Sequence, residues 1–360
     1  MAQYRRLHET IEEYLTYRFA KCAPTTATNE AFVLRRFAAW YGDVQMRHLT
    51  PERVADWFFG DQGLLLPHRT RDRRLREPVK ATTANYYRTR LASFFRWATK
   101  RGLIRRDLLE EVEPLTPERP ERLKVPPSDL LRLLGTAGDA RDRAFIALLI
   151  NTGFRGGTAT SLRVRDVDLD AESISVWISK SRVHDWFPIT ADLRIELAAW
   201  LREYSVTVRR PLRTDDFLFP ARTASVYHWV VDAGGQKRKI RTAPTWTPER
   251  PLTHPERVVQ EALRALGFTT KGEGCHTIRR SVARALFDAL ASEKSYDAAL
   301  RTVTATLHHK SMATTEIYLG LSSELAQRDA ALRGKPFLSA MCGQNAAVAH
   351  IRPTGTARLR

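Results

Sequence analysis

The sequence predicts a mainly α-helical protein of two domains, with a small antiparallel β-sheet in the second. Three observations carry this. Apolar residues recur at three- and four-residue spacing through most of the chain, a proline-rich charged segment at 116–127 interrupts them, and β-branched runs appear after that segment. At 360 residues and 43% hydrophobic content the chain is long enough to bury two cores of ordinary size.

The first domain, 1–115, reads as helices joined by polar turns. Ile11, Tyr14, Leu15 and Phe19 mark a first helix, and Ala31, Phe32, Leu34, Phe37 and Trp40 a second that ends at Gly42. Thr50-Pro51-Glu52 is a helix start, with a hydroxyl to cap free N–H groups and a proline whose missing N–H costs nothing there. Val54, Trp57 and Phe58 follow on its inner face. A helix over 83–100 buries Tyr87, Leu91, Phe94, Phe95 and Ala98, carries Arg88, Arg96 and Lys100 largely elsewhere, and stops at Gly102. Between the last two helices, the run from His68 to Arg76 contains Arg69, Arg71, Arg73, Arg74 and Arg76, too much charge for a core. In an already basic domain it reads as a phosphate-contacting loop.

The linker 116–127 precedes a second domain at 128–334. A helix opens at Ser128, and another runs through Ala144, Phe145, Leu148 and Leu149. Ser173–Ile178 and Trp186–Ile189 read as short strands around a turn at 180–185. Helices follow near 192–204, 256–266 and from 277. The stretch 221–253, rich in Gly, Pro, Arg and Lys, reads as an irregular insertion, and 335–360 as a flexible tail.

Charge narrows the function. The 58 Lys and Arg residues against 40 Asp and Glu leave a net charge of +18, which calls for a polyanionic partner, nucleic acid foremost. No apolar run approaches the roughly 18 residues that span a bilayer, and the first residues lack a signal-peptide core, so the expected location is the cytoplasm, on DNA. Cys22, Cys275 and Cys342 lack the paired spacing of disulfides or zinc knuckles, and no spaced Asp/Glu/His group forms a two-metal site. No metal or other cofactor is therefore expected, and positive side chains must stabilise any phosphorus-centred transition state.

Three stretches offer such side chains. In Asn151–Gly157 an apolar helix ends in a glycine turn that projects Arg155. In His276-Thr277-Ile278-Arg279 the two functional groups stand three apart, on one helix face. In Leu307–Tyr318, His309 precedes Tyr318 by nine positions. In order and spacing these stretches resemble the tyrosine recombinase (phage integrase) family, which runs TGLR, a hairpin lysine, HxLR, then GH with a tyrosine nine residues on. Here the pattern is Thr152-Gly153-Phe154-Arg155, Lys180, His276-Thr277-Ile278-Arg279, and His309 with Tyr318. Flanking agreement includes Asp166-Val167, Phe217–Pro220 and Thr314-Thr315.

The resemblance implies a helical core-binding domain followed by a mixed α/β catalytic domain. It makes Arg155 and Arg279 the clamp on the scissile phosphate, Lys180 the acid for the leaving 5′ oxygen, and His276 and His309 phosphate ligands or proton carriers. Tyr318 becomes the nucleophile that forms a 3′-phosphotyrosyl link. It further implies double-stranded recombination sites as substrate, a homotetramer on DNA, and room for an accessory bending or directionality factor. The implied role is integration and excision of a phage or other mobile element, with a Xer-type dimer resolvase or a non-catalytic DNA-binding protein on the same fold as alternatives. The chain departs from the pattern where Thr158 replaces an acidic residue, Gly156 and Gly157 follow Arg155, His308 replaces glycine, Arg280 stands where many members have histidine, and Ser179 replaces a glycine before Lys180.

Overall fold

The computed structural model describes residues 5–69, 75–118, 122–178, 183–223, 227–231, 234–241 and 245–321. The chain divides into two compact units, Met1–Glu121 and Arg122–Arg360.

The first unit is built on helices α1 (Leu7–Lys21), α2 (Pro24–Tyr41), α3 (Pro51–Phe59) and α4 (Ala81–Lys100). Thr50 caps α3 by accepting from the Arg53 N–H at 3.2 Å, with Pro51 in the first turn. The core is strongly aromatic: Phe37 meets Trp57 edge to face at 5.1 Å, Trp57 stacks on Tyr87 at 5.8 Å, and Tyr14 meets Phe94 at 5.4 Å. Phe19 and Phe32 are exposed rather than packed. On α1 the inward stripe from Ile11 and Tyr14 continues through Arg18, seven residues after Ile11, and not through Phe19. Arg18 reaches the fully buried Glu30 of α2, its Nε donating at 2.6 Å, while the Tyr14 hydroxyl donates to the same carboxylate at 2.8 Å. The basic run is framed by strands β1 (His68–Arg69) and β2 (Leu75–Arg76), paired His68 to Arg76 and Arg69 to Leu75.

In the second unit, α5 (Pro127–Gly135), α6 (Ala140–Thr152) and α7 (Gly156–Ser161) come first. Every residue of α6 from Ala144 to Leu149 is buried, which makes it the central helix. Around it pack a three-stranded antiparallel sheet, β3 (Val167–Asp168), β4 (Ser173–Ile178) and β5 (Val183–Pro188), and helix α8 (Ala191–Val208). Ile174, Val176 and Ile178 of β4 face the core, and the alternation puts Trp177 outside. The expected turn at 180–185 is shorter than anticipated, because pairing extends to Ile178 and Val183.

The stretch read as irregular is instead β-structure. Strands β6 (Pro220–Arg222) and β9 (Trp246–Pro251) pair with each other, and β7 (Tyr227–Val231) pairs with β8 (Lys237–Arg241). The physical reason is plain: β8 is Lys-Arg-Lys-Ile-Arg, with no apolar alternation to signal a strand. The unit closes with α9 (Pro255–Ala265), α10 (Cys275–Glu293), α11 (Tyr296–Thr306) and α12 (Met312–Leu319). The last three share a small core of Ala283, Phe287, Leu300, Val303, Leu307 and Leu319. The mainly helical fold with small antiparallel sheets is as expected from sequence. The anticipated tail at 335–360 lies outside the described residues, as does Lys180.

Candidate active site

Three helix boundaries converge here. Helix α6 ends at Gly153, whose φ of 63° is left-handed backbone that glycine adopts without a Cβ penalty. The chain then runs extended through Arg155, the residue before α7, so this arginine sits in a break between two helices. Phe154 anchors the break from below, buried against Phe187 of β5 at 5.1 Å.

Helix α10 supplies the second boundary. His276 and Arg279 lie in its first turns, His276 exposed and Arg279 only 3% exposed. The Arg279 guanidinium donates through Nη1 to the Gly153 carbonyl and through Nη2 to the Leu307 carbonyl. One buried side chain thus ties the end of α6 to the end of α11. The third boundary is the turn from α11 into α12, where the His309 N–H donates to the Thr304 carbonyl at 3.1 Å and Ser311 caps α12. Tyr318 is on α12, its ring edge to face with that of His309 at 5.2 Å, and its hydroxyl points to the His276 carbonyl at a long 3.4 Å.

Arg155, His276, Arg279, His309 and Tyr318 are therefore assembled from segments up to 163 residues apart in the numbering. A phage integrase family model matches residues 125–324, more than half of the chain and all of these positions. The chain belongs to the phage integrase family of tyrosine recombinases. Tyrosine recombinase XerC of Mycobacterium bovis is 26% identical to it over 321 residues, 86% of this chain and 92% of that protein. Two structures share its fold: a lambda integrase dimer bound to a core site, with TM-score 0.59 and 16% identity, covers 88% of this chain and 95% of that one. A lambda integrase tetramer bound to a Holliday junction gives 0.56 and 18%, covering 85% and 78%.

In this recombinase the electrostatics follow from burial. Desolvation, then the Arg155 cation, lowers Arg279 to about 10, so it remains charged at neutral pH. Although His276 is exposed as a residue, desolvation of its ring, followed by the Arg279 cation, pushes its pKa below the ordinary histidine value. Burial raises the Tyr318 phenol, and Arg279, Arg280 and Arg155 pull it back in part. The Arg155 carbonyl accepts from the Ala159 N–H at 2.9 Å, while its guanidinium has no hydrogen-bond or ion-pair partner among the described residues and is available to an anion.

Several supporting residues were not foreseen. Glu256, at the start of α9, accepts from the Cys275 N–H at 2.5 Å and so satisfies a free donor at the start of α10. A Cβ on Gly274 would fall 1.8 Å from that carboxylate, and one on Gly156 would fall 3.1 Å from the Cys275 sulfur. The two glycines after Arg155 therefore open α7, and Gly156 allows it to close on α10. The Cys275 thiol is buried, and desolvation with the Glu256 carboxylate pushes its pKa up, the opposite of a nucleophilic thiol. Thr315, fully buried, lies 3.0 Å from His309 Nδ1 and 2.9 Å from the Thr304 hydroxyl, fixing the imidazole. Arg280 pairs with Glu273 at 2.8 Å and donates to the Leu123 carbonyl, which makes it a packing residue.

His308 explains its own departure from the family pattern. Its φ is 52°, the conformation that favours glycine, and its Nε2 lies 2.6 Å from Asp185 Oδ2 on β5. That contact holds the Asp185 carboxyl below the usual aspartate range. The backbone strain costs roughly 1 kcal/mol, and the part-buried contact returns about as much. Urea unfolding should therefore place His308→Gly near the parent and His308→Ala about 1 kcal/mol or more below it, since alanine keeps the strain and loses the pair. An alanine variant as stable as the glycine variant would contradict this.

Of the residues expected to touch DNA, Arg76, Arg96 and Lys100 are exposed. Arg88 is half-buried and donates to the Val112 carbonyl. Arg88, Arg96 and Lys100 line a surface depression together with Arg105 and Arg106, which sequence reasoning had passed over. Arg71, Arg73, Arg74 and the side chain of Arg69 lie outside the described residues, as does Lys180, whose flanking strands pair at Ile178 and Val183.

Proposed function

We propose that this recombinase cuts each DNA strand by attack of Tyr318 Oη on the scissile phosphorus, forming a 3′-phosphotyrosyl bond and releasing the 5′ hydroxyl. The observation that carries the reading is the Arg279 guanidinium, buried between the Gly153 and Leu307 carbonyls with Arg155, His276 and Tyr318 around it. A pair of arginines, Arg279 buried and Arg155 half-buried, suits a phosphorane whose two non-bridging oxygens gain charge, since planar guanidinium groups present parallel donors.

The raised phenol pKa means that Tyr318 enters the reaction protonated, and its proton needs an acceptor. His276, kept neutral at physiological pH, fills that role. His309, held by Thr315 beside the Tyr318 ring, donates to a phosphate oxygen. Lys180 protonates the departing 5′ oxygen, a role that rests on the family resemblance. The new phosphodiester conserves bond energy, so rejoining by another 5′ hydroxyl needs no nucleotide cofactor.

The proposed role is integration and excision of a phage or other mobile element, by a homotetramer on two duplex sites. The lambda integrase tetramer on a junction supports that stoichiometry. The XerC match over most of the chain favours a second reading, resolution of replicon dimers. Incubating the protein with the duplex sites flanking its own gene, in EDTA, tests the reading: recombinant products should form with the parent chain and not with Tyr318→Phe, which should still bind. Products from a paired dimer-resolution site alone would select the second role.

The pH dependence has a definite sign. His276 loses its acceptor capacity when protonated, so single-turnover cleavage should fall as pH drops through a value below the ordinary histidine pKa of about 6.5. His276→Gln should be slow throughout and flatten that acid limb. An acid limb that persists unchanged in His276→Gln would assign the titration elsewhere.

A further inference from the structure

The two-stranded ribbon of β7 and β8 belongs to neither hydrophobic core of its unit. Its register sets Trp229 opposite Lys239, Val230 opposite Arg238 and Val231 opposite Lys237. Residues opposite each other share a face, so Trp229, Val231, Lys237 and Lys239 lie on one side, with Val230, Arg238 and Ile240 on the other. Trp229 is 66% exposed, Val231 58% and Ile240 51%, and Lys237, Arg238 and Lys239 are exposed as well.

A lone exposed two-stranded ribbon is marginal in water, yet the base of this one is firmly built. Arg222 of β6 pairs with Trp246 of β9, and Trp246 is buried edge to face against Trp200 at 5.5 Å. The Arg141 and Arg222 guanidinium groups lie over its ring at 4.7 and 5.4 Å. Just above, Thr223 and Thr245 exchange backbone and hydroxyl hydrogen bonds of 2.9 to 3.0 Å. The root is thus fixed in the core while the strands beyond it present cations and apolar groups.

Charge decides the occupant. Between residues 217 and 248 the sequence has one carboxylate, Asp232, against Arg222, Lys237, Arg238, Lys239 and Arg241. Cations on both faces of the ribbon would repel a second copy of so basic a chain and do not suit an apolar protein groove. They suit a polyanion that flanks the ribbon on two sides, and a major groove about 12 Å wide between two phosphate backbones admits a two-stranded ribbon.

We infer that the β7–β8 ribbon is a separate duplex-DNA grip of the catalytic unit, with Lys237, Arg238 and Lys239 on phosphates and Trp229 against the groove wall. The inference rests on the reading of the chain as a DNA recombinase but not on Tyr318 chemistry. The test compares the full-length parent with K237S/R238S/K239S for binding to a random-sequence duplex across a range of NaCl concentrations. Three lost phosphate contacts should reduce the slope of log K against log salt by about 2.7. Cleavage of a nicked substrate at saturating DNA should stay within a few-fold of the parent, which shows that the variant is folded.

A control, R132S/R194S/R202S, removes the same charge from exposed helix positions and should change the slope by less than one. A slope change below one in the ribbon variant overturns the inference, as does an equal loss in the control. Unchanged DNA binding with an altered oligomeric state would likewise overturn it, in favour of a protein contact. Absence of cleavage in the parent would count against the Tyr318 mechanism and leave the slope comparison readable.

Discussion

Replacing Arg279 with lysine should slow single-turnover DNA cleavage by roughly 10² to 10³, with DNA affinity little changed. The positive charge survives the substitution, so a simple Coulombic role would predict a small effect. What lysine cannot reproduce is a planar fork that donates to the Gly153 and Leu307 carbonyls while still presenting donors to a phosphate. Losing those two bonds leaves two carbonyls at helix ends short of partners, at about 1 to 3 kcal/mol each where they are buried. The same variant should therefore melt at lower temperature. Affinity is spread over many phosphate contacts and tolerates the loss of one. A cleavage rate within threefold of the parent would show that the buried fork is only a structural strut.

In the first unit the largest effect should come from Arg18→Met. The Glu30 carboxylate is fully buried and is satisfied by Arg18 Nε and the Tyr14 hydroxyl. Removing the cation leaves an ionised carboxylate with one neutral donor, at a cost of about 3 kcal/mol. Adding Glu30→Gln to that background removes the stranded charge and retains an acceptor for Tyr14, so the double variant should recover much of the loss. Hydrogen exchange at α1 and α2 amides reads both. Additive losses in the two variants would mean that Arg18 and Glu30 are not energetically coupled.

The residues that gather at the candidate site were legible because they are residue types that recur in order: Arg155, His276, Arg279, His309 and Tyr318 all reach one place. Their supports were not legible, since each comes from distant sequence with no local signature. Glu256 is 19 residues from the amide that it caps, and Asp185 is 123 from His308. The helices were readable wherever a buried stripe exists, as on α3 and α4, and misread where a charged side chain takes the apolar place, as Arg18 does on α1. The ribbon escaped notice for the converse reason: pairing without burial leaves no hydrophobic alternation. Where the family pattern has an acidic residue this chain has Thr158, and a carboxylate from elsewhere, Glu256, packs beside Gly156 and Gly274 and braces the junction of α7 with α10.

The nucleophile is open to direct measurement. A cognate duplex nicked just beyond the cleavage position loses its short 5′-hydroxyl fragment after attack and traps any covalent intermediate. Digestion and mass spectrometry of the trapped species should place the nucleotide on the peptide containing Tyr318, as a 3′-phosphotyrosyl adduct, with none in Tyr318→Phe. An adduct on any other residue, or an undiminished adduct in Tyr318→Phe, would contradict the assignment.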